Sequence, residues 1–195
     1  MNVQASPHIV PGTFFLVVGP SGAGKDSVMR GARDVLADDD RFVFARRTIT
    51  RPASAGGEDH IDSTVENFSA IDTAGGFCLS WQAHGLNYGI ERAYANDIAA
   101  RRCVVANVSR SVIDVARRRF PRVRIINVTA PRHVLAERLA ARGRESAADI
   151  RKRLERADEF LPQGADVITV RNAGSLTDSV KVFVGILRLC AFEAA

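Results

Sequence analysis

Lysine is scarce in this chain of 195 residues, which carries most of its positive charge on arginine. Only three of its 27 basic residues are lysines, Lys25, Lys152 and Lys181. A lysine inside a glycine-rich segment is therefore less easily explained by background composition. Long apolar runs are absent as well, so the sequence predicts no membrane-spanning helix.

Cysteines are few, and Cys78, Cys103 and Cys190 are far apart and odd in number. This pattern excludes a zinc-binding spacing and a disulfide framework. Each cysteine lies among apolar residues, so we expect buried thiols in a reducing cytoplasm. Residues 1–10 lack the basic segment followed by an apolar one that marks a secretory signal, and we expect residues 1–12 to be a disordered lead.

The formal net charge of +5 and a pI near 9.6 raise the question of nucleic-acid binding. The arginines are spread along the chain, however, with one local cluster at Arg117–Arg119. A basic pocket for small polyanions explains the charge balance equally well. We therefore expect small phosphorylated partners, and neither nucleic acid nor a membrane. The oligomeric state stays open, a homodimer included.

A glycine-rich segment, Gly19–Asp26, follows the apolar run 14–18 and precedes a helical pattern. Strand, glycine-rich loop and helix are the context that a phosphate-binding loop requires. Its backbone N–H groups can face one point, where the helix N-terminus adds partial positive charge. The alternative is a glycine-rich turn that binds nothing. The predicted ATP-binding residues are Gly19, Pro20, Ser21, Gly22, Ala23, Gly24, Lys25, Asp26 and Ser27, with Lys25 also catalytic through its charge on the outer phosphates.

One position departs from the usual motif, in which a serine or threonine follows the lysine and its hydroxyl binds Mg²⁺. Here Asp26 follows Lys25, and Ser27 comes next. A carboxylate is a hard oxygen ligand suited to Mg²⁺. We therefore expect Mg²⁺ with ATP as co-substrate, held by Asp26 or Ser27, and both oxygens stay open as ligands.

Predicted strands and helices alternate along the chain, and the central strands are rich in β-branched residues. The alternation indicates a single α/β domain with a doubly wound parallel sheet of the P-loop NTPase type. We expect a core of residues 13–46 and 92–195, an acceptor-binding insertion at about 47–91 and a lid at about 139–150. The predicted strands are 14–18, 41–46, 77–82, 103–108, 122–128 and 166–171, and the predicted helices are 25–37, 64–73, 92–101, 111–119, 131–142, 147–160 and 175–190.

Arginines are spaced as a charge-neutralising group near the predicted lid. Arg138 and Arg142 are four residues apart and share a helix face, and Arg153 follows on the next helix. In phosphoryl transfer the protein mainly positions the substrates and neutralises charge on the transferred group. We therefore predict a catalytic role for these three arginines. The alternative is a solvated basic face paired with neighbouring glutamates.

Two further polar segments predict the acceptor site. The first segment lies just past a predicted strand and contains Arg47, Thr50 and Arg51. Its guanidinium groups can bind phosphate through bidentate hydrogen bonds. The alternative is an ordinary polar loop. A turn between two strands of the insertion carries the other candidates. These are His84, Asn87 and Tyr88, which can hydrogen-bond sugar hydroxyls or a phosphate.

Together, these segments resemble the guanylate kinase family over about residues 14–189. The resemblance implies a core domain, an acceptor-binding insertion and a lid. It rests on residues 19–25, Thr50-Arg51-Pro52, Tyr88-Gly89, the Arg138, Arg142 and Arg153 spacing, and Asn172 before the last helix.

The departures from that family concern its acceptor. The family has a second arginine after Thr-Arg-Pro, where this chain has Ser54, and an acidic residue before Tyr-Gly, where it has Leu79-Ser80-Trp81. The family has carboxylates at the end of the third core strand, where this chain has Asn107 and Ser109. Without the carboxylates that read guanine, the site is unsuited to GMP.

The chain is more closely similar to the ribose 1,5-bisphosphate phosphokinase branch of that family. This resemblance implies ATP-dependent phosphorylation of ribose 1,5-bisphosphate to 5-phosphoribosyl 1-diphosphate, in phosphonate breakdown. A nucleoside monophosphate kinase acting on GMP is the alternative, and a non-catalytic interaction domain is a third interpretation. The similarity lies in residues 19–27, 48–51, 53–56, 58–61, 80–81, 84–86 and 142–145.

Overall fold

The computed structural model describes residues 11–52, 54, 58–141, 151, 153–155 and 161–192. The strands and helices alternate largely as predicted, and residues 151 and 153–155 are also helical. The strands are β1 Phe14–Val18, β2 Phe42–Phe44, β3 Arg47–Ile49, β4 His60–Asp62, β5 Phe77–Ala83, β6 Leu86–Glu91, β7 Cys103–Asn107, β8 Val123–Thr129 and β9 Val167–Arg171, and the helices are α1 Lys25–Val35, α2 Val65–Thr73, α3 Ala93–Ala99, α4 Ile113–Arg119, α5 Arg132–Ala141 and α6 Leu176–Phe192.

The central sheet has five parallel strands in the order β2-β7-β1-β8-β9. All residues of β1 are buried, as expected for a parallel strand covered on both faces. Its side chains alternate between the faces. Phe15 and Val17 join a core with residues of α1 and α6, whereas Phe14, Leu16 and Val18 join a second core on the opposite face. The predicted doubly wound α/β sheet is therefore confirmed.

A second, four-stranded sheet has the order β4-β3-β6-β5. β3 pairs parallel with β4 and antiparallel with β6, and β5 and β6 form a hairpin. The hairpin turns at His84 and Gly85, whose φ angles of 53° and 75° suit a two-residue turn of type I′. Ile49, Leu79 and Ile90 pack into the same core as Phe14 and the other β1 residues on that face. This shared core holds the second sheet against the central one.

Part of the predicted strand 41–46 was wrong. β2 ends at Phe44, and β3 begins at Arg47 in the second sheet. The Ala45 N–H still donates to the Val105 carbonyl at 2.9 Å, so the chain leaves the central sheet only at that point. Apolar and β-branched residues occur in both β2 and β3, so the sequence pattern does not show where the chain passes from one sheet to the other.

Several predicted ends of elements also shift. The first two residues of the predicted helix 111–119 belong to a 3₁₀ turn, Arg110–Val112, and α4 begins at Ile113. The cap of α2 is Thr64, whose Oγ1 accepts the Asn67 N–H at 3.1 Å. Gly12, expected in a disordered lead, donates its N–H to the Ile98 carbonyl at 2.8 Å. Residues 142–150, most of the predicted lid, lie outside the described residues.

All three cysteines are free and buried, as predicted. Burial raises the pKa of the Cys78 thiol to about 11 and also raises that of Cys103. In the described part of the chain, no helix has both the length and the apolar character needed to span a bilayer.

Helix α6 offers a matched pair of leucines for testing the core. Leu187 is 0% exposed, and Leu189 on the same helix is 63% exposed. Leu187→Ala should lower the free energy of unfolding by about 2–5 kcal/mol, because it removes apolar contacts and leaves a cavity. Leu189→Ala should change it by less than about 0.5 kcal/mol. Urea denaturation measures both, and equal effects of the two substitutions would contradict this packing.

Candidate active site

The loop between β1 and α1 curls tightly around one point. Gly19 and Gly24 have φ angles of 143° and 84°. A Cβ atom at Gly19 would lie 2.0 Å from the Val128 carbonyl oxygen, and one at Gly24 would lie 2.4 Å from Asn172 Nδ2. Only glycine permits this curl. Because α1 begins at Lys25, the positive end of the helix also faces the loop.

Lys25 folds back over the same loop. Its Nζ donates to the carbonyl oxygens of Gly19 at 2.8 Å and Pro20 at 3.1 Å. These contacts hold the ammonium group beside the cradle of backbone N–H groups. A lysine held there can contact the outer phosphates of a nucleotide.

The two predicted metal ligands lie beside Lys25 and line the same cleft as the loop. The Asp26 carboxylate accepts a hydrogen bond at 2.7 Å from Nδ2 of Asn107, the last residue of β7. This contact ties the first turn of α1 to the end of a neighbouring central strand. A carboxylate and the Ser27 hydroxyl are oxygen donors that fit Mg²⁺.

Asn172 supports the loop from behind. Its Nδ2 donates to the Ala23 carbonyl at 2.8 Å, and its Oδ1 accepts from the Ser179 hydroxyl at 2.9 Å. Its backbone N–H donates to the Thr129 carbonyl at 2.7 Å. The side chain is buried with its amide satisfied, so it links the loop to β8 and α6.

Two of the three predicted catalytic arginines lie beside the loop. Nη1 of Arg138 donates to the Asn172 carbonyl at 3.1 Å. Nη1 of Arg153 donates to the Ser21 hydroxyl at 2.8 Å, and Arg153 lines the cleft. Arg142 lies outside the described residues. Residues far apart in the chain thus bring two guanidinium groups to the phosphate loop.

The second sheet supplies the opposite wall. Arg47 lines the cleft, and its guanidinium lies 5.4 Å from the ring centroid of Tyr88. The Arg47 Nε donates to the Glu58 carboxylate at 2.8 Å, with Nη2 as a second donor. Trp81 stacks on Tyr88 with ring centroids 5.4 Å apart, and both rings line the cleft. Burial raises the pKa of the Tyr88 phenol, so it remains a hydrogen-bond donor.

Three other residues predicted to bind the substrate do not line this cleft: Thr50, Arg51 and Asn87. The Thr50 hydroxyl accepts the Asn87 N–H at 2.9 Å and thereby helps to join β6 to the end of β3. Nη2 of Arg51 lies 3.7 Å from the Glu58 carboxylate and 3.4 Å from Nδ1 of His60. These groups support the wall in this structure, whereas His84 lines the cleft.

The cleft between the loop and the second sheet has a volume of about 620 Å³. A volume of this size accommodates small-molecule ligands. Arg110 and Ser111, which line it beside Ser109, are not among the predicted site residues. Their position after a central strand could have identified them, because ligands of open parallel sheets bind at the carboxyl ends of the strands. These residues closely follow β7, which ends at Asn107.

Asn172 provides a test of the loop's support. Asn172→Ala should reduce the free energy of unfolding by about 1–3 kcal/mol, because buried polar groups lose their partners. It should also weaken ATP binding by about tenfold, since the loop loses a fixed position. Calorimetric titration with ATP on the folded protein measures the binding. Asn96→Ala, at an exposed position on α3, is the control, and equal ATP affinities of the two variants would contradict the role of Asn172.

Solved structures of kinases share this fold. The crystal structure of guanylate kinase from Anaplasma phagocytophilum superposes with a TM-score of 0.63 at 17% identity, covering 92% of this chain and 86% of that one. A gluconokinase from Sinorhizobium meliloti gives a TM-score of 0.53 at 21% identity, covering 94% and 95% of the two chains. At these identities the similarity establishes the fold alone. A scan against protein-family models found no match.

Curated relatives are much more similar in sequence. A bifunctional ribose 1,5-bisphosphokinase-thymidine phosphorylase from Azorhizobium caulinodans is 47% identical over 90% of this chain, which spans only 25% of that protein. Ribose 1,5-bisphosphate phosphokinase PhnN from Rhodopseudomonas palustris is 45% identical, with 95% of this chain covering 93% of that protein. The same enzyme from Agrobacterium fabrum is 43% identical over 90% and 96% of the two chains. The chain therefore belongs to the ribose 1,5-bisphosphate phosphokinase family.

Proposed function

We propose that this chain transfers the γ-phosphoryl group of ATP to the 1-phosphate of ribose 1,5-bisphosphate, giving 5-phosphoribosyl 1-diphosphate and ADP. The observation that carries the proposal is one cleft with a phosphate-binding loop on one side and an acceptor wall on the other. The names of the two relatives that this chain covers over most of their length support the choice of acceptor.

ATP binds with its β- and γ-phosphates on the loop of residues 19–27. The backbone N–H groups and the start of α1 attract the anion, and Lys25 contacts the outer phosphates. Asp26 and Ser27 would hold Mg²⁺, which neutralises phosphate charge when it is bound. The hydrogen bond from Asn107 keeps the Asp26 carboxylate directed at the cleft.

Ribose 1,5-bisphosphate binds between the loop and the second sheet. Arg47 meets an acceptor phosphate with its orientation already set by Glu58 and the Tyr88 ring. His84 and Tyr88 contact the sugar. Arg51, Thr50 and Asn87 maintain the shape of this wall through Glu58 and the β3–β6 contact.

The chemistry needs little besides position and charge. The attacking oxygen belongs to a phosphate that is already ionised at neutral pH, so no strong general base is required. As the γ-phosphoryl group moves, negative charge spreads over its oxygens and onto the leaving group. Lys25, Arg138 and Arg153 lie around the loop to balance that charge, and Arg142 is proposed to join them.

The wall argues against a purine acceptor. The N–H edge of guanine binds most strongly to a carboxylate, and the two side chains that line this cleft at the end of β7, Asn107 and Ser109, are neutral. The Asn107 Nδ2 already donates to Asp26, so only the neutral Oδ1 of this side chain is left to accept from a base. A base edge that meets neutral acceptors in place of carboxylates is bound more weakly and with less discrimination. A cationic wall instead suits a pentose with a phosphate at each end.

An acceptor panel tests the proposal. ADP release from ATP should be fast with ribose 1,5-bisphosphate and at least about 100-fold slower with GMP, AMP and dTMP, because the wall has no match for a base edge. A coupled assay at equal acceptor concentrations measures all four rates. Faster ADP release with GMP than with the pentose would overturn the assignment.

Lys25 should be required for turnover and dispensable for folding. Lys25→Ala should lower kcat by about 10²–10³-fold, because an oriented charge on the moving phosphoryl group is lost. Its melting temperature should stay near that of the wild type, since the side chain is only partly buried. Lys181→Ala, at an exposed position on α6, is the matched control and should retain full activity. Near wild-type kcat for Lys25→Ala would remove Lys25 from the mechanism.

A further inference from the structure

The 3₁₀ turn Arg110–Val112, which follows β7, carries an arginine whose guanidinium is incompletely paired within the described part of the chain. Arg110 lines the cleft, and its Nη2 is buried with no hydrogen-bond partner among the described residues. Burial also lowers the pKa of this guanidinium. A partly desolvated guanidinium with an unmatched buried donor is costly unless an acceptor completes it. Arg110 is therefore suited to a negatively charged ligand in the cleft.

The other cations that line the described part of the cleft are already held by protein groups. Lys25 donates to loop carbonyls, Arg153 to the Ser21 hydroxyl, and Arg47 to the Glu58 carboxylate. Arg110 alone among these four combines a buried guanidinium nitrogen without an acceptor and a place on the cleft wall. Among these four cations, Arg110 is thus the one best suited to bind an added anion.

The position of the turn indicates which anion this is. The acceptor phosphate must lie against the γ-phosphate, beside Lys25 and the loop. Arg110 stands instead on the turn that contacts β5, the strand that carries Trp81 and Ala83 of the acceptor wall. Ser109 and Ser111 flank it, and their hydroxyls are 2.9 Å apart. A ligand that reaches both the loop and this turn needs a negative group at each end.

We propose that Arg110 binds the 5-phosphate of the sugar substrate, the phosphate that does not accept the transferred group. This inference rests on the proposed function and adds the residue that selects a doubly phosphorylated pentose. A nucleoside monophosphate would bring an uncharged base to Arg110, and the buried Nη2 of that guanidinium would remain without an acceptor. Selectivity then comes from the penalty against the wrong acceptor as well as from attraction to the right one.

The test combines a residue change with a truncated substrate. Arg110→Gln should lower kcat/KM for ribose 1,5-bisphosphate by about 10- to 100-fold, the range expected for a lost charge-assisted contact. The same variant should leave kcat/KM for ribose 1-phosphate, which lacks the 5-phosphate, within about twofold of the wild-type value. Arg118→Gln, at an exposed position on α4, is the control and should change neither.

Ribose 5-phosphate provides a second readout that does not depend on turnover of the truncated substrate. Its inhibition constant against ribose 1,5-bisphosphate should rise in Arg110→Gln by about the same factor as kcat/KM falls. The Kd for ATP should be unchanged, because the loop is intact. If Arg110→Gln does not fold, Arg110→Lys keeps the charge, and its smaller loss should again be confined to ligands that carry the 5-phosphate.

The outcomes separate this inference from the proposed function. If the wild-type protein does not phosphorylate ribose 1,5-bisphosphate, the proposed function itself fails. If the wild-type protein does so and Arg110→Gln loses equal activity toward both acceptors, or loses none, the role of Arg110 is wrong. A loss restricted to the bisphosphate, together with weaker inhibition by ribose 5-phosphate, supports it.

Discussion

The site depends on a backbone that turns its N–H groups toward one point. Glycines at Gly19 and Gly24 make the curl sterically feasible, and the Asn172 amide holds it through the Ala23 carbonyl. Ser179 on α6 and the Thr129 carbonyl at the end of β8 fix Asn172 in turn. The cradle is therefore built by elements from both ends of the chain, and protein groups hold its shape.

The proposed acceptor wall, formed by the second sheet, faces this cradle because the two sheets share a core. Phe14 and Leu16 of β1 pack with Ile49, Leu79 and Ile90 of the second sheet. Packing of this kind fixes the distance between loop and wall at native density, so the cleft between them is a feature of the fold. Phosphoryl transfer requires such fixed separation, because most of the catalysis is positioning and charge balance.

Much of the fold could be predicted from local patterns. The run Phe14–Val18 and the glycine-rich loop identify strand and cradle directly, since each needs only neighbouring residues. The end of β2 could not be found in this way, because a change of sheet between Phe44 and Arg47 leaves no local signal. The side chain that Arg47 and Arg51 contact could not be predicted from local sequence either. Both converge on Glu58, a contact that only the fold brings together.

For the candidate site, too, some residues could be predicted from local sequence and others only from the fold. Lys25, Asp26 and Arg47 could be selected by residue type and motif. Arg110 required the topology, because its significance comes from β7 lying next to β1 and from the turn lying against β5. Sequence spacing predicts which groups are suited to phosphate, and the fold decides which of them reach the same cleft.

A single ligand can test whether the loop and the wall form one site. A bisubstrate compound joins adenosine to C1 of ribose 5-phosphate through a chain of four phosphates. Calorimetry should show it binding at least about 100-fold more tightly than ATP. The reason is that the second half binds intramolecularly, without a further loss of translational and rotational entropy. It should also prevent binding of ATP and of ribose 1,5-bisphosphate together. An affinity no better than that of ATP, with ribose 1,5-bisphosphate still able to bind, would contradict a shared site.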